Sequence, residues 1–156
     1  MLICSWDEME RYFDKLHCLD KSCFPTSIWA DSVWKGLFNH QQLSTILVFQ
    51  KSALVGFIAF STIVREAEIL KMGVKTEKTC QGIGAGLLDK MTQQLRKNRI
   101  RHVFLEVRED NLPAVSLYQN HGFEQAGTRN DYYQSPLANA LIFRCSFDDK
   151  WDSIPK

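Results

Sequence analysis

Apolar residues recur along this chain with two different periods, and the switches between them mark out the elements. Met9, Phe13 and Leu16 fall on one face of a helix that opens with a Ser5–Glu8 capping box and ends near Leu19, before Phe24-Pro25 breaks the chain. Trp34, Leu37 and Phe38 line the inner side of a second helix over 31–38. Strands follow at 44–50 and 54–63, joined by a tight Lys51-Ser52 turn, and a third lies at 68–74. Leu87, Leu88, Met91 and Leu95 return to helical spacing, with Arg96, Lys97 and Arg99 at the negative end of that helix. Val103, Leu105 and Val107 then alternate with Phe104, Glu106 and Arg108, which places the two sets on opposite faces of a strand. A further helix begins at Asn111-Leu112-Pro113 and is stopped by Gly122, and two strands close the chain. No linker, repeat or low-complexity tract interrupts the series, so residues 1–156 are expected to form one domain.

The first chemistry-bearing stretch is Gln81-Gly82-Ile83-Gly84-Ala85-Gly86, which opens the helix of Leu87, Leu88, Met91 and Leu95. Glycines let the backbone approach a ligand closely. At a helix N-terminus the free N–H groups and the dipole favour an anion such as a pyrophosphate. A dinucleotide fingerprint beginning at Gly82 needs a small third residue where Leu87 stands, and a P-loop needs Gly-Lys-Ser/Thr where Gly86-Leu87-Leu88 stands. Neither fits, whereas Gln-x-x-Gly-x-Gly is the pattern of the GNAT acetyltransferase superfamily.

A second block resembles the same superfamily. Leu105-Glu106-Val107-Arg108, Asn111, Leu117-Tyr118 and Gly122-Phe123 are similar to the strand, asparagine and tyrosine helix of its ribosomal-protein-alanine N-acetyltransferases (RimI type). Arg129-Asn130-Asp131-Tyr132-Tyr133 resembles that group's Arg-x-x-Tyr-Tyr, and the likeness is strongest over 66–133. The order of elements is also the GNAT order. It implies an α/β (α+β) fold with a mixed, mostly antiparallel twisted sheet flanked by helices, in which the crossover makes the strands ending at Val74 and Val107 parallel neighbours.

The resemblance implies acetyl-CoA as donor and assigns roles residue by residue. Cys80, Gln81, Gly82, Ile83, Gly84, Ala85 and Gly86 would hold the pyrophosphate, with Cys80 standing where relatives often carry a basic residue. Met72, Gly73 and Val74 would present backbone groups to the pantetheine arm, and Asn111, otherwise a helix N-cap, would contact CoA. Glu106 would be the general base; partial burial would raise its pKa and suit it to that task. Tyr118, which shares a helical face with Asn111 and Ala114, would protonate the CoA sulfur, since a phenol of pKa about 10 is close to an alkyl thiol. Taken alone, Glu106 reads better as a solvated acid and Tyr118 as core; the resemblance assigns them to the site.

Composition narrows the picture a little further. The 156 residues are 45% hydrophobic with a net charge of +1, which suits a compact domain without a nucleic-acid footprint. No secretory signal is apparent at the N-terminus, and the longest apolar run, 53–60, is far below a membrane span, so a soluble cytoplasmic protein, a monomer or weak dimer, is expected. Five cysteines without a Cys-x-x-Cys pair and four histidines off zinc-ligand spacing suggest no metal site. The resemblance implies a protein N-terminus as the acceptor amine, and an α-amine of pKa about 7.7–8.0, nearer its reactive neutral form than a lysine at about 10.4, is compatible with a single glutamate as base. Two other readings stand beside it. One is a small-amine acetyltransferase drawing on Glu66, Glu68 and Glu109, and the other a non-catalytic acyl-CoA-binding module, which would need neither Glu106 nor Tyr118. The chain departs from the RimI pattern at Ala138-Asn139, where relatives have Glu-Asp, and in a shortened 134–139 loop.

Overall fold

The computed structural model describes residues 2–4, 6–38 and 42–147, with side chains described over 11–36 and 42–147. The Ser5–Glu8 capping box and the inward faces of Leu37 and Phe38 lie outside these limits. The chain divides into two compact units, the first formed by residues up to Ser61 together with 70–92, the second by 62–69 and the residues from Gln93 on.

In the first unit the strands run in the order β1 (Leu2–Cys4), β2 (Leu43–Gln50), β3 (Ala53–Ile63) and β4 (Glu66–Val74). β1, a three-residue strand with no expectation behind it, pairs antiparallel with β2 through Leu2↔Leu47 and Cys4↔Thr45. The β2–β3 hairpin closes at Lys51, whose φ of 56° supplies the left-handed turn. Helix α1 (Trp6–Cys23) extends four residues past its expected end, and α2 (Asp31–Phe38) has the expected bounds. Leu16, Leu19 and Trp34 from these helices bury themselves against Leu47, Leu54, Phe57 and Ala59 of the strands. Helix α3 (Ile83–Lys97), which begins in this unit, buries Leu87, Leu88, Met91 and Leu95, the stripe read from the sequence, and Ile83 at its start.

In the second unit β4 continues the order to β5 (His102–Arg108), β7 (Leu137–Ser146) and β6 (Glu124–Gln134). β4 and β5 are parallel, as expected of strands joined by a helical crossover, with Glu66↔His102 and Ile69↔Leu105 as first and last pairs. β5–β7 and β7–β6 are antiparallel. The alternation along β5 is strict: Val103, Leu105 and Val107 are buried while Phe104, Glu106 and Arg108 are half-buried on the other face. Helix α4 (Leu112–Asn120) packs Tyr118 against Phe123, ring centroids 5.7 Å apart. No described helix is long and apolar enough to cross a membrane.

Candidate active site

In the first unit the residues expected to hold the pyrophosphate form a sharp turn into α3. A single 3-10 turn (Thr76–Lys78) follows β4, and then Cys80 and Gly82 take left-handed φ values of 57° and 76°, so the chain reverses sharply into α3. A non-glycine residue held there costs about 1–2 kcal/mol, which the rest of the loop must offset. The Gln81 side chain contributes by donating to the Glu77 carbonyl at 3.3 Å. Gly82 opens the helix, its carbonyl accepting from Gly86 N–H at 2.9 Å, and by helix geometry the N–H groups of Ile83, Gly84 and Ala85 have no carbonyl to bond. No acid occupies the first turn of α3, and a Cβ added to Gly82 would meet nothing within 4 Å. An open cradle with unpaired donors and no opposing charge fits a phosphate group.

One residue that fixes this cradle was not singled out from the sequence. A Cβ on Gly56 would lie 2.9 Å from Ile83 Cγ2, 3.4 Å from Leu87 Cδ1 and 3.5 Å from the Gly73 carbonyl oxygen. The first turn of α3 therefore sits on β3 because position 56 has no side chain. Gly73 has a packing reason to be glycine as well: its Cβ would lie 2.8 Å from Phe57, 3.0 Å from Phe24 and 3.2 Å from Cys23 Sγ. Of its strand-end neighbours, Met72 is half-buried, and the Val74 carbonyl already accepts from Cys23 Sγ at 3.4 Å.

In the second unit, β5 carries Glu106 and α4 carries Tyr118, the residues expected to act as base and acid. Glu106 is half-buried, and its Oε1 accepts from Arg129 Nη1 at 2.7 Å, while Oε2 has no partner among the described residues. The pairing is diagonal: β7 lies between β5 and β6, Ala140 sits opposite both Arg108 and Arg129, and Arg129 reaches across β7 to Glu106, two residues before Arg108. Arg129 also lies 4.7 Å from the Tyr132 ring, as Arg108 does from Tyr133, and the two tyrosine rings meet edge to face at 5.2 Å. Arg108 donates to both Asp110 oxygens, from Nε at 2.9 Å and Nη2 at 2.8 Å, which holds the Asp110 carboxyl below its ordinary range. Arg129 was legible only as part of a motif; its bond to Glu106 needs the sheet register.

Tyr118 is 7% exposed, and burial, helped by the nearby Tyr133, pushes its phenol well above the ordinary value. Burial thus moves the phenol away from the expected match with an alkyl thiol and favours its neutral form. Asn111 caps α4 by accepting from Ala114 N–H at 3.3 Å, which leaves its Nδ2 as a donor. Asn139, at the departure from the RimI pattern, ties the end of β5 to β6 and β7. It donates to Glu109 from its backbone at 2.9 Å and its side chain at 3.0 Å, and accepts from Asp131 N–H at 2.9 Å.

A profile of the acetyltransferase (GNAT) family matches residues 6–123. The chain belongs to that family. It is an N-acetyltransferase with acetyl-CoA as its donor, on a mixed, mostly antiparallel sheet flanked by helices. The ribosomal protein bS18-alanine N-acetyltransferase of Haemophilus influenzae is 30% identical over 122 residues, covering 75% of this chain and 81% of that protein. Its Escherichia coli counterpart is 31% identical over 84 residues, 54% of this chain and 57% of that one, so the alignment spans little more than half of the relative. The crystal structure of the ribosomal-protein-S18-alanine N-acetyltransferase from Escherichia coli superposes with a TM-score of 0.85, covering 99% of each chain at 20% identity, a likeness of fold.

Proposed function

We propose that this enzyme acetylates the N-terminal α-amine of a protein, an alanine such as that of a small ribosomal-subunit protein, by direct attack of the amine on the thioester. The observation that carries the reading is Glu106, a half-buried carboxylate in mid-strand with one oxygen committed to Arg129 and the other available. The family match runs through both units, which supports treating residues 1–156 as one acetyltransferase domain. Bound acetyl-CoA supplies an activated acetyl group. In the first unit, residues 80–86 would cradle its pyrophosphate and the backbone at Met72, Gly73 and Val74 would receive the pantetheine; in the second, Asn111 keeps Nδ2 as a donor for CoA. Glu106 Oε2 takes the proton that the amine must lose, directly or through a water. Tyr118, neutral and buried, donates its O–H to the sulfur as charge develops there, so it works as a hydrogen-bond donor first and gives up its proton only as the thiolate forms.

An α-amine suits one glutamate better than a lysine does, because more of it is neutral near pH 7. A small polyamine would draw instead on Glu66, Glu68 and Glu109. Of these, Glu109 already accepts two bonds from Asn139, and Glu66 and Glu68 lie low on β4 opposite His102 and Phe104, which favours the peptide. The protein is read as cytoplasmic, monomeric or a weak dimer, without a metal, membrane or nucleic-acid partner. Mass spectrometry of short peptides and small amines incubated with enzyme and acetyl-CoA tests this reading. Acetylation confined to the α-amine of alanine-starting peptides is expected; acetylation of spermine alone would overturn it.

A further inference from the structure

The ion pair between Glu106 and Arg129 adds little to the fold. The side chain of Arg129 is 53% exposed and that of Glu106 28%, and a pair so open to solvent contributes little to stability. What it does is restrict the carboxylate. The terminal torsion of a glutamate is broad, so an untethered carboxylate presents either oxygen over a wide arc. With Oε1 held by Arg129 Nη1 at 2.7 Å, a short charge-assisted bond, the carboxylate plane is fixed and Oε2 is the oxygen left to act.

The surroundings of Glu106 leave this task to Arg129. Arg108 lies on the same face of β5, but its guanidinium donates to both Asp110 oxygens and, at 3.3 Å, to the Pro136 carbonyl. On β7 the residue opposite Glu106 is Ile142, whose side chain has no polar group, and on the β4 side the pairing of β5 ends one residue earlier, at Leu105. Tyr133 of β6 is near enough to feel the Glu106 charge, which adds to burial in pushing its phenol up and keeping it neutral.

Arg129 is itself aimed. In a regular strand, residues three apart face opposite sides, yet the Arg129 guanidinium lies 4.7 Å from the Tyr132 ring. The register of β6 against β7 shifts between Arg129 and Tyr133, and within that stretch Asp131 takes a left-handed φ of 51° and donates from its backbone to Asn139 Oδ1 at 2.9 Å. An irregularity of this kind re-aims side chains, and here it brings Tyr132 back against Arg129. Tyr132 meets Tyr133 edge to face at 5.2 Å, and Arg108 closes the row 4.7 Å from the Tyr133 ring.

We infer that Arg129 is a positioning residue for acetyl transfer: by holding Glu106 Oε1 from across β7, it presents Oε2 to the proton of the acceptor amine. The inference rests on the reading of Glu106 as base. In that step the amine nitrogen bonds to the acetyl carbon, the carbon–sulfur bond breaks with its electron pair passing to sulfur, and the amine proton goes to Oε2. Arg129 keeps its own protons throughout.

The test is a cycle of wild type, Arg129→Met, Glu106→Gln and the double variant, with an alanine-starting peptide as acceptor, or spermine if the wild type uses only that. Single-turnover acetyl transfer at saturating acetyl-CoA and acceptor is measured with the acceptor KM and the calorimetric CoA affinity. Arg129→Met keeps an apolar stem and removes the donor. Transfer is expected to slow about 10–100-fold, the scale of a misplaced reacting group, with KM and CoA affinity within about twofold of wild type. In the Glu106→Gln background the same change should cost less than about twofold, because no base remains to be aimed. Arg129→Lys keeps a cationic donor and should recover part of the rate; it runs the same comparison if Arg129→Met fails to fold. An unchanged rate in folded Arg129→Met, a loss confined to KM, or an equal fold-loss with and without Glu106 overturns the inference and leaves the base reading standing. A near-normal rate in Glu106→Gln overturns the base reading, and the inference with it.

Discussion

Placing an alanine at position 56 probes the cradle through its support rather than its ligand groups. The new Cβ would stand 2.9 Å from Ile83 Cγ2, a methyl on a β-branched carbon whose χ1 is restricted in a helix, so the strain passes to the backbone at the start of α3. Overpacking of this kind costs about 1–3 kcal/mol, against a gain of roughly 0.5–1 kcal/mol from replacing a glycine within a strand. A net loss of about 0.5–2 kcal/mol corresponds to a fall in Tm of a few degrees for a chain of this size. The N–H groups of Ile83, Gly84 and Ala85 move with the helix. The CoA affinity should therefore fall roughly tenfold or more, as for loss of one charge-assisted hydrogen bond. Ile83→Ala removes the methyl and on its own costs about 2–5 kcal/mol as a core truncation. In the double variant the clash is absent, so its loss should fall short of the sum of the single losses by about 1–3 kcal/mol. Denaturant unfolding and calorimetric CoA titration of the four proteins supply both readings. Additivity within about 0.5 kcal/mol, or a destabilised Gly56→Ala that binds CoA normally, would refute the reasoning.

Tyr118→Phe should lower kcat substantially while leaving the acceptor KM and the Tm at neutral pH nearly unchanged, because the lost bond belongs to the transition state. The folded phenol keeps its proton above the ordinary value of 10.0, so its share of stability is intact below that pH and is lost as pH rises beyond it. Wild-type Tm should accordingly fall more steeply than that of Tyr118→Phe between about pH 9 and 11, and parallel curves would contradict the burial argument. Burial also pushes the thiols of Cys23 and Cys145 up, whereas Cys18 and Cys80 are exposed. Alkylation followed by peptide mass spectrometry should therefore modify Cys18 and Cys80 first, and early modification of Cys23 would mean that its bond to the Val74 carbonyl is not kept in solution.

The sequence was most legible where the periodic signal was strong and local. The second helix, the β2–β3 hairpin, α3 and the alternation on β5 all lie where expected, because each depends on a short apolar pattern and its punctuation. β1 was missed because three residues are too few to show a period, and only its pairing with β2 makes it a strand. The end of α1 was placed too early for a related reason. Asp20 continues the inner face of Leu16 and Leu19, but a buried aspartate reads as the end of an apolar stripe until its partner, Lys71, is known to lie against it. At the site, the residue types were visible and their supports were not. Gly56 gave only a glycine in mid-strand, and Arg129 lies 23 residues from Glu106 and meets it across an intervening strand.

The central claim is that Glu106 accepts the proton of the acceptor amine, and turnover of Glu106→Gln measured from about pH 6 to 9, alongside its CoA affinity, tests it most directly. The amide keeps the shape and can still accept from Arg129, so folding and CoA binding should be preserved while kcat falls roughly 10²–10⁴-fold at neutral pH. Near-normal rates across that range would contradict the account and leave Glu106 as a structural partner of Arg129.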